Sequence, residues 1–179
     1  MTTIFSHALV PLATGLGLGQ TRVSRRLMYA GMLASILPDF DTIGFKFGVA
    51  YASQFGHRGF SHSIFMAFCV GLCAMLAHRQ LNTSRITAFW FVGLSMLSHG
   101  LLDMLTTSSM GVAILWPYND VRYFFDYRPI LASPIGSRFF TARGVQTLIS
   151  GLNMVFVPAL VWMLALWFFF GRKSRLKPN

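Results

Sequence analysis

The chain has 179 residues, of which 54% are hydrophobic and only 11% charged, with a formal net charge of +10. That balance is far from that of an ordinary soluble domain, and it suits one integral membrane domain over residues 1–179. The basic residues cluster at the ends of apolar runs instead of interleaving with exposed aromatics on a reading module, so nucleic acid is not an expected partner.

A membrane span needs about 20 mostly apolar residues, and five stretches approach that length. The first, residues 4–20, carries Ser6 and His7 near its start and ends at a basic turn with Arg22, Arg25 and Arg26. No charged segment precedes it, so a cleavable signal is not expected. Gly15, Gly17 and Gly19 follow no predicted strand, so they read as points of close helix packing and not as a phosphate loop. The second stretch, residues 27–37 and extendable to 47, is short and ends among Pro38, Asp39 and Asp41. The third, residues 60–77, holds Cys69 and Cys73 one helical turn apart, which reads as packing and not as a disulfide framework. A turn through His78, Arg79 and Arg85 leads to the fourth, residues 86–105.

Residues 106–143 mix Gly, Pro, aromatics, Arg, Asp120 and Asp126, and read as a folded loop capping one membrane face. The last span, residues 145–170, would be roughly 39 Å long at the α-helical rise. That exceeds the bilayer core, so tilt or a kink at Pro158 is expected. A basic tail with Arg172, Lys173, Arg175 and Lys177 follows. The expected architecture is all-α: a polytopic membrane bundle of about five helices with a long capping loop on the site side.

Threading five spans puts His7, Asp39, Asp41, His62, His99 and Asp103 at one end and the basic turns at the other. Short basic loops mark the cytoplasmic side, so the N-terminus is expected outside and the C-terminus in the cytoplasm. Charged and imidazole groups near a bilayer persist when they pair, ligate an ion or line a wet cavity. Imidazole and carboxylate together are the ligand set of divalent metals such as zinc.

His99 and Asp103 are four residues apart, so on a helix they share a face. His57 and His62 bracket a loop-to-helix junction. Of Asp39 and Asp41, one would bind metal and the other orient a ligand histidine. Arg58 and Gly59 suit an anionic substrate group, Arg as a fork and Gly by allowing close backbone approach. Blander readings stand beside these: His7 as an interfacial residue, His99 and Asp103 as a simple hydrogen-bonded pair, and Arg58 as a headgroup contact.

The segments Leu37-Pro38-Asp39-Phe40-Asp41, His57 to Ser63, Ser98-His99 with Asp103 and Thr106, and Gly111 to Tyr118 resemble the YdjM-like family of membrane-bound metal-dependent hydrolases. The resemblance covers residues 1–135 and implies a bacterial inner-membrane protein. The ligand order is also similar to zinc-dependent phospholipases C and related nucleases, which use further His and Glu. This chain has no Glu and no His after His99, which fits one or two metals better than a full cluster.

The reading is a membrane-embedded hydrolase whose zinc-like ion, on Asp39 or Asp41, His62, His99 and Asp103, activates water against a phosphoester or ester of a lipid or lipid-linked substrate. His7 or His57 would complete the site or shuttle a proton, Arg58 would offset substrate charge, and Ser63 and Thr106 would support the ligands. The alternatives are a metal or proton transporter, or a non-catalytic membrane protein with a structural metal.

Overall fold

The computed structural model describes residues 3–134 and 139–171. Their regular structure is helical, apart from two isolated β-bridges. Five helices follow in order: α1 (Ile4–Leu18), α2 (Arg25–Ile36), α3 (Ile64–Leu76), α4 (Arg85–Met104) and α5 (Ala142–Phe170). The first four start at hydroxyl N-caps, Thr3, Ser24, Ser63 and Ser84, each accepting from the backbone N–H three residues on. Proline ends α2: Pro38 opens a 3-10 segment, Leu37–Phe47, that carries Asp39 and Asp41.

The expected count of five helices holds, but their lengths differ from five full spans. Only α4 and α5 are long and apolar enough to cross a bilayer by themselves. Helices α1, α2 and α3 have 15, 12 and 13 residues, because the polar motifs begin where each helix stops or starts. In α5 the irregularity at Pro158 takes the form of a π-helical turn, Leu152–Phe156, just before it. Pro158 has no N–H for the Met154 carbonyl and its ring crowds that oxygen, so the ladder widens there.

Close approaches give the helix directions. A Cβ on Gly17 would meet the Met163 carbonyl and Leu166 Cβ at 2.7 Å each, and one on Gly151 would meet Ser6 Oγ at 2.8 Å, so α1 and α5 run parallel. The Trp162 indole N–H donates to Thr14 Oγ1 at 3.1 Å along the same seam. Gly31 of α2 lies against Phe91 and Ser95 of α4, and Gly71 of α3 against Phe89. Small residues therefore bring the backbones together, as membrane helices require. The interior is correspondingly small-grained, with Ala34, Ala67, Ala74 and Ala88 around Leu27, Val92 and Met96. Bulky apolar groups such as Leu76, Trp90, Val161 and Phe169 face outward instead.

The two ends of the bundle differ in chemistry. At one end the turn before α2 meets the α3–α4 turn: Ser24 Oγ donates to the Leu81 carbonyl and Arg26 Nη1 to that of Gln80. Arg22 Nη1 donates to the Phe170 carbonyl at 3.0 Å. The two basic turns thus share one end, as expected; the basic tail, residues 172–177, lies outside the described residues. The capping loop covers the opposite end. Bridges Thr106–Ile130 and Val112–Tyr123 fold it. It is tied down where Ala113 N donates to the Arg58 carbonyl and Ile64 N to that of Ile114. Asp120 and Asp126 are exposed on it.

The neighbour of Gly17 is partly backbone and cannot swing aside. Gly17→Leu is therefore expected to cost about 1–3 kcal/mol through overpacking. Thermal unfolding in detergent should show a clear drop in Tm, while the same assay on Leu16→Ala, at an outward-facing position, should show little change.

Candidate metal centre

The elements that bring the polar residues together are four helix ends. His7 lies in the first turn of α1, Asp39 just past α2, His62 just ahead of α3, and His99 and Asp103 in the last turns of α4. All are buried, His7, His99 and Asp103 completely. Ligand atoms of Asp39, His62, His99 and Asp103 all fall within 4.8 Å of one another.

The hydrogen bonds around this group decide where its lone pairs point. The His99 Nδ1–H donates to the Ser35 carbonyl at 2.7 Å, which leaves Nε2 with a lone pair in the neutral ring. His62 Nδ1 faces Ser61 Oγ at 3.0 Å and Asp41 Oδ2 at 3.3 Å, so its proton also belongs on Nδ1. The two Nε2 atoms then confront each other at 3.0 Å. Two lone pairs repel at that distance, whereas nitrogens sharing a tetrahedral zinc lie about 3.3 Å apart. Asp39 Oδ1 is 3.4 Å from His99 Nε2, and neither Asp39 oxygen has a hydrogen-bond donor among the described residues. Asp103 Oδ2 is 3.7 Å from His62 Nε2. A buried group of two imidazole nitrogens and two carboxylates so arranged could hold a metal ion; its chemistry suits a hard-to-borderline divalent cation.

His7 stacks on His99 with ring centroids 3.6 Å apart, and its Nε2 lies 3.6 Å from Asp103 Oδ1 and 4.0 Å from Asp39 Oδ2. It belongs to the cluster rather than to the membrane interface. His99 and Asp103 share a helical face as expected, yet each turns to partners on other elements.

The two aspartates divide. Asp39 joins the four-ligand group, while Asp41 supports histidines: Oδ1 accepts from His57 Nδ1 at 2.7 Å and Oδ2 from Ser61 Oγ at 2.6 Å. Burial alone would raise the Asp41 carboxyl, but the His57 and His62 imidazoles outweigh it and hold it well below the ordinary carboxylate value. His57 is fully buried, edge-on to Tyr51 and Phe45, with no hydrogen-bond partner at Nε2 among the described residues. Asp41, His57 and His62 form a second close group that shares His62 with the first.

Arg58 occupies a different place from the one a substrate contact implies. It is fully buried, and its Nη2 lies 3.0 Å from Asp103 Oδ2 and 3.0 Å from Thr106 Oγ1. Nη1 donates to the carbonyls of Met110 at 2.8 Å and Asp103 at 3.3 Å. Its φ of 66° is left-handed, a conformation that non-glycine residues adopt only when surroundings over-determine it. Gly59 serves the loop itself, since a Cβ there would strike the Gln54 carbonyl at 2.2 Å. Thr106 bridges Arg58 and the Asp103 carbonyl, whereas Ser63 caps α3 and touches no ligand.

Three contributors carry no signal of their own in the sequence. Ser61 stands in the His57–Ser63 motif, but nothing there distinguishes it from Ser63. Ser35 acts through its carbonyl. Arg122 donates to the carbonyls of His57, Tyr51 and Ser53, fastening the capping loop to the loop that carries His57 and Arg58, across 65 to 71 residues of chain.

Removing the cation of a buried pair strands the anion. Arg58→Met is therefore expected to destabilise the protein by roughly 3–5 kcal/mol. Adding Asp103→Leu to Arg58→Met should recover part of that loss in chemical denaturation of the detergent-solubilised protein; strict additivity of the two changes would refute the pairing.

Comparison with known proteins bears on the family and on the membrane. The family model described as YdjM inner membrane protein matches residues 1–175. Inner membrane protein YbcI of Escherichia coli is 44% identical over 169 residues, 93% of this chain and 98% of that protein. Inner membrane protein YdjM of Escherichia coli is 35% identical over 103 residues, about half of each chain, and its Shigella flexneri counterpart matches equally. No solved structure matches. With a family model over residues 1–175 and a relative 44% identical along nearly its full length, the chain belongs to the YdjM inner membrane protein family.

Proposed function

We propose that this protein is a metal-dependent hydrolase of the bacterial inner membrane, acting on a phosphoester or ester of a lipid or lipid-linked substrate. The observation that carries the reading is the meeting of the His62 and His99 Nε2 atoms at 3.0 Å beside the Asp39 and Asp103 carboxylates. A divalent ion such as zinc bound there would supply Lewis acidity and make water nucleophilic near neutral pH.

The chain's own groups have separable roles in this reading. Asp39, His62, His99 and Asp103 hold the ion. Ser35 and Asp41 fix the two histidine rings with their Nε2 atoms inward, as outer partners of metal ligands do. Arg58 holds Asp103 in place. His7, stacked on His99, supplies a further ligand or a proton acceptor, and His57, braced by Asp41, moves a proton at Nε2. With the basic turns at the end opposite the site, the site faces outward, the N-terminus lies outside and the C-terminus in the cytoplasm.

One observation favours a second reading. The four ligands are 0–5% exposed, so the ion would be shut in, and a closed shell is the mark of a structural metal tying helix ends together.

Metal analysis of protein purified without chelators separates these. Wild type should carry about one equivalent of divalent metal, and His99→Ala and Asp103→Ala well under half of it. Metal-free wild type would sink both readings. A metal-loaded protein that releases no product from phospholipids or lipid phosphates, yet loses Tm on chelation, would leave the structural one.

A further inference from the structure

The end of the bundle opposite the metal centre has an uncompensated charge. Arg22, Arg25, Arg26, Arg79 and Arg85 gather there through the contacts of the two basic turns. All five acidic side chains of the chain, Asp39, Asp41, Asp103, Asp120 and Asp126, belong to the site end or the loop that caps it. No carboxylate side chain is therefore available to neutralise these arginines among the described residues. The N-termini of α2 and α4 point to the same end and add partial positive charge.

Within this patch lies a cavity of about 410 Å³ between the end of α3 and the start of α4. His78, Arg79, Gln80 and Arg85 form its polar wall, and Met75 and Leu76 its apolar one. The His78 ring is set by donating Nδ1–H to the Thr83 carbonyl at 3.1 Å, so its Nε2 accepts from Arg85 Nε at 3.4 Å. That bond holds the Arg85 guanidinium by its Nε. On the same two helices, Leu76, Ile86 and Trp90 are 79%, 70% and 57% exposed. Leu76 lines the cavity itself, and Ile86 and Trp90 follow Arg85 along α4, so open apolar surface adjoins the cationic pocket.

We infer that this α3–α4 pocket binds the phosphate-bearing headgroup of an anionic phospholipid, with its acyl chains lying over Leu76, Ile86 and Trp90. Arg79 and Arg85 supply the charge and fork geometry for the phosphate oxygens, and Gln80 a neutral donor. The adjoining apolar surface commits the ligand to a lipid: a soluble phosphate would satisfy the arginines but leave that surface unused. The inference is independent of the metal centre, which sits at the other end of the same helices.

The test uses the full chain in detergent micelles doped with equal amounts of phosphatidylglycerol and phosphatidylcholine, with retained lipid counted by native mass spectrometry. Wild type should retain phosphatidylglycerol preferentially. At about fivefold per arginine, R79Q/R85Q should weaken that preference by about 25-fold. The charge-keeping R79K/R85K should hold most of it, and R128Q, at the other end, should match wild type. Inorganic phosphate should not displace the lipid. Equal retention of both lipids by wild type, a preference unchanged in R79Q/R85Q, or an equal loss in R128Q would each overturn the proposal. Displacement by inorganic phosphate would overturn its lipid source.

Discussion

Everything at the site end depends on burying Asp103. A carboxylate withdrawn from water at the end of an apolar helix is tolerable only when cations and donors surround it. Arg58 answers that need from a loop 45 residues away, and its own requirements shape what lies around it. Its guanidinium reaches the Met110 carbonyl and Thr106, which draws the start of the capping loop inward. Its backbone sits in the left-handed region, and its carbonyl accepts from Ala113 of that loop. The capping loop, the His57 loop and the end of α4 are therefore one connected unit, with Arg122 as a second fastening.

The candidate metal centre is built by a similar economy of position. Each short helix donates one end, and the ligand leaves from the first or last turn, where the backbone already departs from regular hydrogen bonding. Helix α2 stops at Pro38, so Asp39 and Asp41 sit on a tighter 3-10 path and can face different partners: the ligand group for one, His57 and Ser61 for the other. The shortness of α1, α2 and α3 is the counterpart of this arrangement. The bundle gives up apolar length to bring polar ends into a common, buried layer.

The two ends of the molecule divide its charge in a way that membrane insertion explains only in part. Asp39, Asp41 and Asp103 and four of the five imidazoles concentrate at the site, where each has internal partners. Arginines without acidic partners concentrate at the far end, beside exposed apolar groups. One end gathers carboxylates and imidazoles that could hold a cation, and the other gathers arginines with no acidic side chain beside them among the described residues.

Much of this was legible in the chain itself. Hydropathy marked five helices because the apolar runs are long and their interruptions few, and the positions of His7, Asp39, His62, His99 and Asp103 at alternate helix ends followed from counting turns. Helix lengths were less legible, since Pro38 and the Ser63 cap end regular structure inside runs that remain apolar. The role of Arg58 was not legible at all: a fork for a substrate anion and a partner for a buried aspartate use the same side chain, and only its depth and the identity of its neighbours separate them. The same holds for Ser61 against Ser63, one on Asp41 and the other on a helix N-terminus. The sequence by itself determined the fold class and which residues could share a face, because these follow from periodicity and local spacing, and its motifs carried the resemblance to the family. Only the tertiary structure decided which aspartate meets the ligand group, which tautomers the histidines adopt and where the arginines spend their charge, because those depend on contacts made across tens of residues.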